Sequence, residues 1–359
     1  MKVGIIGLPQ AGATTVFNAL TGAHGEVGPG HRADATQMAV LKVPDERVDF
    51  LVGLFQPKKT VHATVDVEDC GGVFAHVGQA GVHESAQAVA EARAQDALLV
   101  VLRAFDDPTV PHPLGGVDPV RDAARIAEEL LLADLAVAEG RIEKFQVDIK
   151  KPHPAAECQV LQEKLDLLER CRESIESHMG ISSVQMSAAQ EKTLRSYAFL
   201  TLKPRICVLN IGEGAIGGAP DLPGLDGPLV PMCAGLEMEI MELDEADRGE
   251  FMADAGLREP AAGAVVRECY AALGLRTFLT YGADEVRAWT VRAGDTALDA
   301  ADAIHSDIAR GFIRAEVMAL EDLRACGSIK ETKAQGKFRL EGKTYEVQDG
   351  DVIIIRHSG

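Results

Sequence analysis

The chain has 359 residues, of which 36 are Lys or Arg and 55 are Asp or Glu, for a formal net charge of −19. With 47% hydrophobic and 25% charged residues it has the make-up of a folded globular protein of two or three domains, not of a disordered chain. The negative balance excludes a protein whose whole surface grips duplex nucleic acid, because neutralising phosphates supplies most of that affinity, and leaves room only for a local basic patch.

Met1 to Ile6 runs straight into a strand, without the charge and cleavage pattern of a signal peptide. No stretch approaches the roughly 18 to 20 apolar residues that span a bilayer, so a cytoplasmic protein without a membrane partner is expected. Lys2-Val3-Gly4-Ile5-Ile6 predicts a first strand stopping at Gly7, and Val16, Phe17, Ala19 and Leu20 predict a helix from about Ala13. Between them, Gly7-Leu8-Pro9-Gln10-Ala11-Gly12-Ala13-Thr14 has the spacing of the phosphate loop GxxxxGK[ST], with Ala13 where the lysine belongs. In such loops glycines let backbone N–H groups converge on phosphate oxygens, and the Ser/Thr hydroxyl, here Thr14, holds Mg²⁺. The missing lysine normally makes a charge-assisted bond to the β- and γ-phosphates, worth roughly 1.5 to 3 kcal/mol. Taken alone, the segment reads equally well as a plain strand-to-helix turn.

Val65 to Val67 predicts a second strand, which runs into a DxxG pattern from Asp69 to Gly72. That is where a P-loop NTPase keeps its Mg²⁺-water carboxylate and its γ-phosphate-sensing amide, and a turn at a strand end is the alternative. Ala97 to Leu102 and Ile206 to Leu209 are further apolar strands, and near-continuous apolar strands alternating with helices point to a parallel sheet covered on both faces. Asn210 and Glu213 follow the last of these in an NxxE pattern, placed to read a nucleotide base.

From about Val120 to Leu200 the periodicity becomes helical, with Ile126, Leu130, Leu131 and Leu135, then Val160, Leu161, Leu165 and Leu168. Pro152 and Pro154 break it, which predicts an antiparallel helical hairpin, either two ordinary packed helices or an arm. From about Phe278 a small α+β domain is predicted, with strands at Val286 to Val291, Phe338 to Leu340, Tyr345 to Val347 and Val352 to Ile355 around one helix at Ala297 to Arg310. Trp289 is expected in its core. Lys330, Lys333, Lys337, Arg339 and Lys343 enclose only Glu331 and Glu341, a basic run that reads as a solvated face or, with Arg310 and Arg314, as a contact for RNA backbone. The seven cysteines lack CxxC spacing and read as reduced, mostly buried thiols, and His62, His76 and His83 read as loop histidines, not metal ligands.

Taken together these motifs resemble the YchF/Obg-like ATPase family of P-loop proteins, over essentially the whole chain. Gly7-Leu8-Pro9 and Phe17-Asn18-Ala19-Leu20-Thr21 flank the loop, and Phe199-Leu200-Thr201-Leu202-Lys203-Pro204 leads into the NxxE strand. His305-Ser306-Asp307, Gly311 to Val317 and Val347 to Val352 mark the family's C-terminal TGS domain. The resemblance implies an α/β fold: a P-loop GTPase-like domain with a mainly parallel sheet (residues 1–119 and 200–277), an inserted helical hairpin (120–199) and a β-grasp TGS domain (278–359). It implies that Gln10, Ala11, Gly12, Ala13, Thr14 and Thr15 cradle phosphates, Thr14 and Asp69 hold Mg²⁺, Gly72 senses the γ-phosphate, and Asn210 and Glu213 read the base. The resemblance also implies a nucleotide site that leans to ATP while still admitting GTP, since the family carries NxxE where most GTPases carry the NKxD that reads guanine, and it implies a ribosome or ribosomal RNA partner through the TGS domain of a monomer.

Departures from the family pattern cluster at the γ-phosphate: Ala13 for the lysine, Ala33 or an out-of-register Thr36 for the switch threonine, and an altered run from Phe74 to Gly81 after Val73. Two readings follow, a nucleotide switch with weak or no hydrolysis, and a pseudo-NTPase adaptor acting through its TGS domain and hairpin. No catalytic residue is assigned.

Overall fold

The structure, a computed structural model, describes residues 1–22, 37–71, 86–218, 222, 224–257 and 259–358. In chain order its elements begin β1 (Lys2–Gly7), α1 (Ala13–Thr21), β2 (Gln37–Lys42), α2 (Glu46–Phe55), β3 (Lys59–Val61), β4 (Thr64–Asp69), α3 (Ala86–Ala94) and β5 (Ala97–Ala104). Next come α4 (Pro119–Asp148), α5 (Ala155–Glu176), α6 (Ala188–Arg195), β6 (Arg205–Ile211), β7 (Leu229–Met232), α7 (Ala234–Glu242), α8 (Glu245–Asp254) and α9 (Ala261–Ala272). The last are β8 (Leu275–Thr280), β9 (Glu285–Arg292), α10 (Ala297–Ile304), α11 (Ser306–Arg310), β10 (Phe312–Ala319), α12 (Leu320–Cys326), α13 (Ile329–Ala334), β11 (Arg339–Glu341) and β12 (Asp351–His357). By contact the chain falls into two units, residues 1–39 with 66–262 and residues 40–65 with 263–359. Among the described residues no helix is long and apolar enough to cross a membrane.

The first unit is organised by a sheet of order β2-β4-β1-β5-β6-β7, in which β4, β1, β5, β6 and β7 pair in parallel. The apolar run of β5 is buried on both faces: Leu98, Val100 and Leu102 join a core with Ile6, Cys207, Leu209, Ile126 and Leu130, and the alternate residues Leu99 and Val101 are equally buried. That double burial is what forbids alternation in the sequence. The chain leaves β1 for β2 on the β4 side, and the later crossover from β4 to β5 passes to the other side of β1, so the strand order reverses there. The crevice at the carboxyl end of such a strand is where open α/β sheets bind ligands.

Helix α4 starts on Asp118, whose side chain accepts from Arg121 N–H, with Pro119 in the first turn. Its first half lays Ile126, Leu130 and Ala133 on the sheet core, whereas Ala138 and Ile142 pack with Leu165, Leu168, Cys171 and Ile175 of α5. The hairpin is therefore rooted on the sheet at one end and held by its own core at the other. Val160 is exposed although it shares a helix face with Leu167 and Cys171, because it stands in the first turns of α5, ahead of the buried stripe that begins at Leu165.

The second unit is a mixed sheet of order β11-β10-β12-β8-β9-β3, with β12 parallel to β8 and β3 parallel to β9. Phe278, Val291, Ala297, Ala301, Ala315, Val317, Val347 and Ile353 form its core. Trp289 is half-buried at the margin, stacked on Phe278 at 6.2 Å with its Nε1–H donated to Thr280 Oγ1, because the indole N–H needs a partner that the apolar centre lacks. Two expectations are corrected. Tyr345 to Val347 forms only an isolated bridge, Thr296 to Glu346, and the helix from Ala297 to Arg310 breaks at His305, which is extended and caps α11 with its ring. The long strand β10 carries Phe312 to Val317, which sequence patterning had not read as a strand.

The hairpin's root is fixed by one fully buried carboxylate. Asp134 accepts from Leu200 N–H (2.9 Å), Thr201 N–H (2.8 Å), Thr201 Oγ1 (2.9 Å) and Arg93 Nη1 (2.8 Å). Arg93 also donates to the carbonyls of Ala133 and Ala198. Helix α3, helix α4 and the segment entering β6 thus share one set of hydrogen bonds. Removing a single partner from a buried ion pair leaves the other charge uncompensated, at about 3–5 kcal/mol. Asp134→Ala is therefore expected to lower the unfolding free energy of the ligand-free protein by about that amount, read as a lower urea midpoint; an unchanged midpoint would remove this anchor from the account.

Candidate functional site

The loop from β1 to α1 is built by a narrow set of backbone choices. Gln10 (φ 63°) and Gly12 (φ 91°) are both left-handed, and Ala11 N–H closes a turn on Leu8 C=O. A side chain at Gly12 would be strained by that φ and would also bring its Cβ within 2.3 Å of Asn210 Nδ2, so only glycine fits. Helix α1 then starts without a side-chain cap, which leaves its first-turn N–H groups to an anion. The buried Gln10 Oε1 has no hydrogen-bond partner among the described residues. Ala13 and Thr15 stand in the first turn, half-buried.

Thr14 Oγ1 donates to Asp69 Oδ2 at 2.8 Å, and Asp69 Oδ1 accepts from Gly71 N–H at 3.0 Å. Asp69 is 2% exposed, and it makes no ion pair with a basic side chain among the described residues. A buried carboxyl group without a cation beside it, next to a hydroxyl, is a hard-oxygen pair. Adjacent ligands of an octahedral Mg²⁺ stand about 2.9 Å apart, so Thr14 and Asp69 fit such an ion directly or through a water. No cluster of three or more His, Cys, Asp or Glu suited to a metal occurs among the described residues. Burial pushes the Cys70 thiol far up and the Cys207 thiol to about 11, so neither offers a thiolate.

Asn210 is the next-to-last residue of β6 and is 4% exposed. Its Nδ2 donates to Ala11 C=O at 3.0 Å and its Oδ1 accepts from Ala234 N–H at 3.3 Å, which ties the loop to β6 and to the start of α7. An amide has two donors and two acceptor sites, so one of each remains for a ligand. Glu213 is exposed in a short 3₁₀ turn, Glu213–Ala215, three residues along the chain from the buried amide. Two neighbours had escaped sequence reading. Phe105 lies with its ring 3.9 Å from where a Cβ at Gly12 would sit and its Cβ 3.7 Å from that of Gly212, and Arg103 packs behind it at 4.4 Å. The available signal was a charged residue ending an otherwise apolar strand.

Gly72, with Val73 to Gly81, His76, His83, Ala33 and Thr36, lies outside the described residues. On the C-terminal basic run, Lys330, Lys333, Arg339 and Lys343 are exposed, as are Arg310 and Arg314. Part of that charge is spent internally: Lys337 pairs with Asp322 at 2.9 Å, Arg310 with Asp307, and Arg339 lies 3.6 Å from Asp351. Lys330 and Lys343 form no ion pair among the described residues.

A parallel sheet of this order, with a glycine-bearing loop running from its first strand into a helix and a buried Asp at the end of the neighbouring strand, defines a P-loop nucleotide-binding fold, here followed by a C-terminal domain. Residues 275–358 match the family model YchF-GTPase_C, described as a protein of unknown function (DUF933). Over 99% of its length the chain is 37% identical to the ribosome-binding ATPase YchF of Haemophilus influenzae, spanning 98% of that protein. It is 34% identical to Obg-like ATPase 1 of Caenorhabditis elegans over 99% of its length and 92% of the relative. Its fold matches the Schizosaccharomyces pombe YchF GTPase with a TM-score of 0.84 at 28% identity, over 99% of this chain and 97% of that one. The chain belongs to the YchF/Obg-like ATPase family.

Because Asn210 joins three segments in the ligand-free chain, Asn210→Ala leaves Ala11 C=O and Ala234 N–H without partners. The nucleotide-free protein is expected to lose about 1–3 kcal/mol of stability, measured by urea unfolding. A wild-type midpoint would mean that the loop holds its shape without this amide.

Proposed function

We propose that this protein binds a purine nucleotide, ATP in preference to GTP, at the β1–α1 loop and hydrolyses it slowly or not at all, acting as a ribosome-associated switch. The observation that carries the reading is the Thr14–Asp69 pair, at 2.8 Å beside an uncapped helix start. In this reading Gln10 to Thr15 offer backbone N–H groups to the phosphates, Thr14 and Asp69 hold Mg²⁺, Gly72 meets the γ-phosphate, and Asn210 and Glu213 face the base. Mg²⁺, when bound, neutralises phosphate charge. The rest falls to the chain. The glycine loop fixes the phosphate position, the α1 dipole favours the anion, and the free donor and acceptor of Asn210 orient the base.

Attenuation follows from Ala13. A methyl group can neither donate to the β- and γ-phosphates nor stabilise charge that builds as the phosphoryl group transfers. The TGS assignment and the division at residues 119, 199 and 277 belong to the same proposal and rest on likeness to the family. A second reading, a scaffold that binds partners without turnover, is favoured by that same alanine.

Calorimetric titration of ATP and GTP with Mg²⁺ into the wild type and Ala13→Lys decides between them. The switch reading expects measurable wild-type binding with ATP favoured, tightened roughly 10- to 100-fold by the lysine. Binding seen only in Ala13→Lys would establish the scaffold reading, and a wild-type multiple-turnover rate matching that of an intact-loop relative would sink attenuation. If the basic face of Lys330, Lys333 and Lys343 meets ribosomal RNA, cosedimentation with ribosomes should fall steeply between about 50 and 200 mM salt. A flat salt response would count against that face.

A further inference from the structure

We infer that Arg103 is a positioning residue for the nucleotide site: its buried guanidinium fixes the Phe105–Val110 segment so that the Phe105 ring stands against Gly12 and Gly212. The inference rests on the nucleotide reading above and extends it to a residue outside the three motifs. Arg103 and Asn210 are directly paired across β5 and β6, so their side chains leave the same face of the sheet at its carboxyl end. Arg103 is 2% exposed, in a strand whose other interior positions are apolar. Its Nε donates to Phe105 C=O at 3.1 Å and its Nη2 to Val110 C=O at 2.9 Å, with Asp107 C=O at 3.5 Å, while its Cζ lies over the Phe105 ring, 4.4 Å from the centre. Nη1 has no partner, and no carboxylate forms an ion pair with the group among the described residues.

Burying a guanidinium with no ion-paired carboxylate among the described residues, only the longer-range charge of Asp107, is costly, and an apolar side chain of similar volume would fill the same space more cheaply if packing were its only role. What arginine alone supplies is a rigid planar fork that joins several backbone carbonyls and lies flat on an aromatic ring. Here that fork closes the segment after β5 into one conformation. The consequence falls on Phe105, whose ring is 3.9 Å from the Cβ position of Gly12 and whose Cβ is 3.7 Å from that of Gly212. The ring therefore forms the wall between the phosphate loop and the turn that carries Glu213. Its placement, and so the selectivity of the site, depends on the guanidinium behind it.

The test is calorimetric titration of Mg-ATP and Mg-GTP into wild type, Arg103→Met, Phe105→Ala and the double variant, with thermal melting of each nucleotide-free protein. Arg103→Met and Phe105→Ala should each weaken ATP binding by about 10-fold and shift the ATP-to-GTP affinity ratio in the same direction. The double variant should lose no more than the worse single variant, since the two side chains act as a unit. Arg103→Lys, which keeps the charge and loses the fork, should recover little. An Arg103→Met protein that melts lower yet keeps wild-type affinities and ratio would overturn the inference, as would additive losses in the double variant. A wild type that binds neither nucleotide removes the nucleotide reading and the inference with it, whereas wild-type binding with an indifferent Arg103→Met removes the inference alone. Should Arg103→Met fail to fold, Arg103→Lys completes the same cycle with Phe105→Ala.

Discussion

The buried amide of Asn210 is the contact on which the candidate site depends. It sits where the end of β6, the phosphate-type loop and the start of α7 converge, and it satisfies one backbone group from each neighbour. Because Nδ2 must reach Ala11 C=O, the chain has to pass close beside it at Gly12, and no side chain fits there. That passage sets the left-handed turn, and the turn aims the first N–H groups of α1 out of the sheet. The loop therefore holds its shape through the protein's own hydrogen bonds. A ligand would meet a preformed cradle and would not have to supply the ordering energy itself.

Against that preserved frame, the chemistry of charge is thinned out. Thr14 and Asp69 keep the oxygen pair that suits a hard cation, and the helix start keeps its open amides. Ala13 removes the fixed positive charge. The two contributions are separable in physical terms: backbone amides and dipoles hold a bound phosphate in its ground state, while a lysine adds most where charge develops during transfer. Losing the second and keeping the first is the pattern of a site that retains occupancy longer than turnover, which is the logic of the proposed function.

Much of the architecture was legible in the residues. The first strand, the glycine loop, the strands at Ala97 and Ile206 and the proline-broken hairpin appear where apolar runs and breakers place them, because each is specified locally. What was not legible depended on distant partners. Asp134 looks like an ordinary helix acid until Leu200 and Thr201, 66 and 67 residues away, are folded onto it. Arg103 is an anomaly in an apolar strand, and only the carbonyls of the following loop explain it. The bridge at Glu346 lacks a strand because its neighbours bond to Asp295 and Ala297, a tertiary choice that alternation cannot reveal.

The central claim is that a preformed loop without its lysine still accepts a nucleotide through Mg²⁺ and backbone amides. Its most direct test is the thermal melting of the wild-type protein in millimolar ATP, with and without Mg²⁺, since a ligand that binds only the native state raises apparent stability by RT ln(1 + [L]/Kd). The account predicts a rise in Tm with ATP and Mg²⁺ together that shrinks sharply when the metal is chelated. A Tm that stays put under both conditions would contradict it.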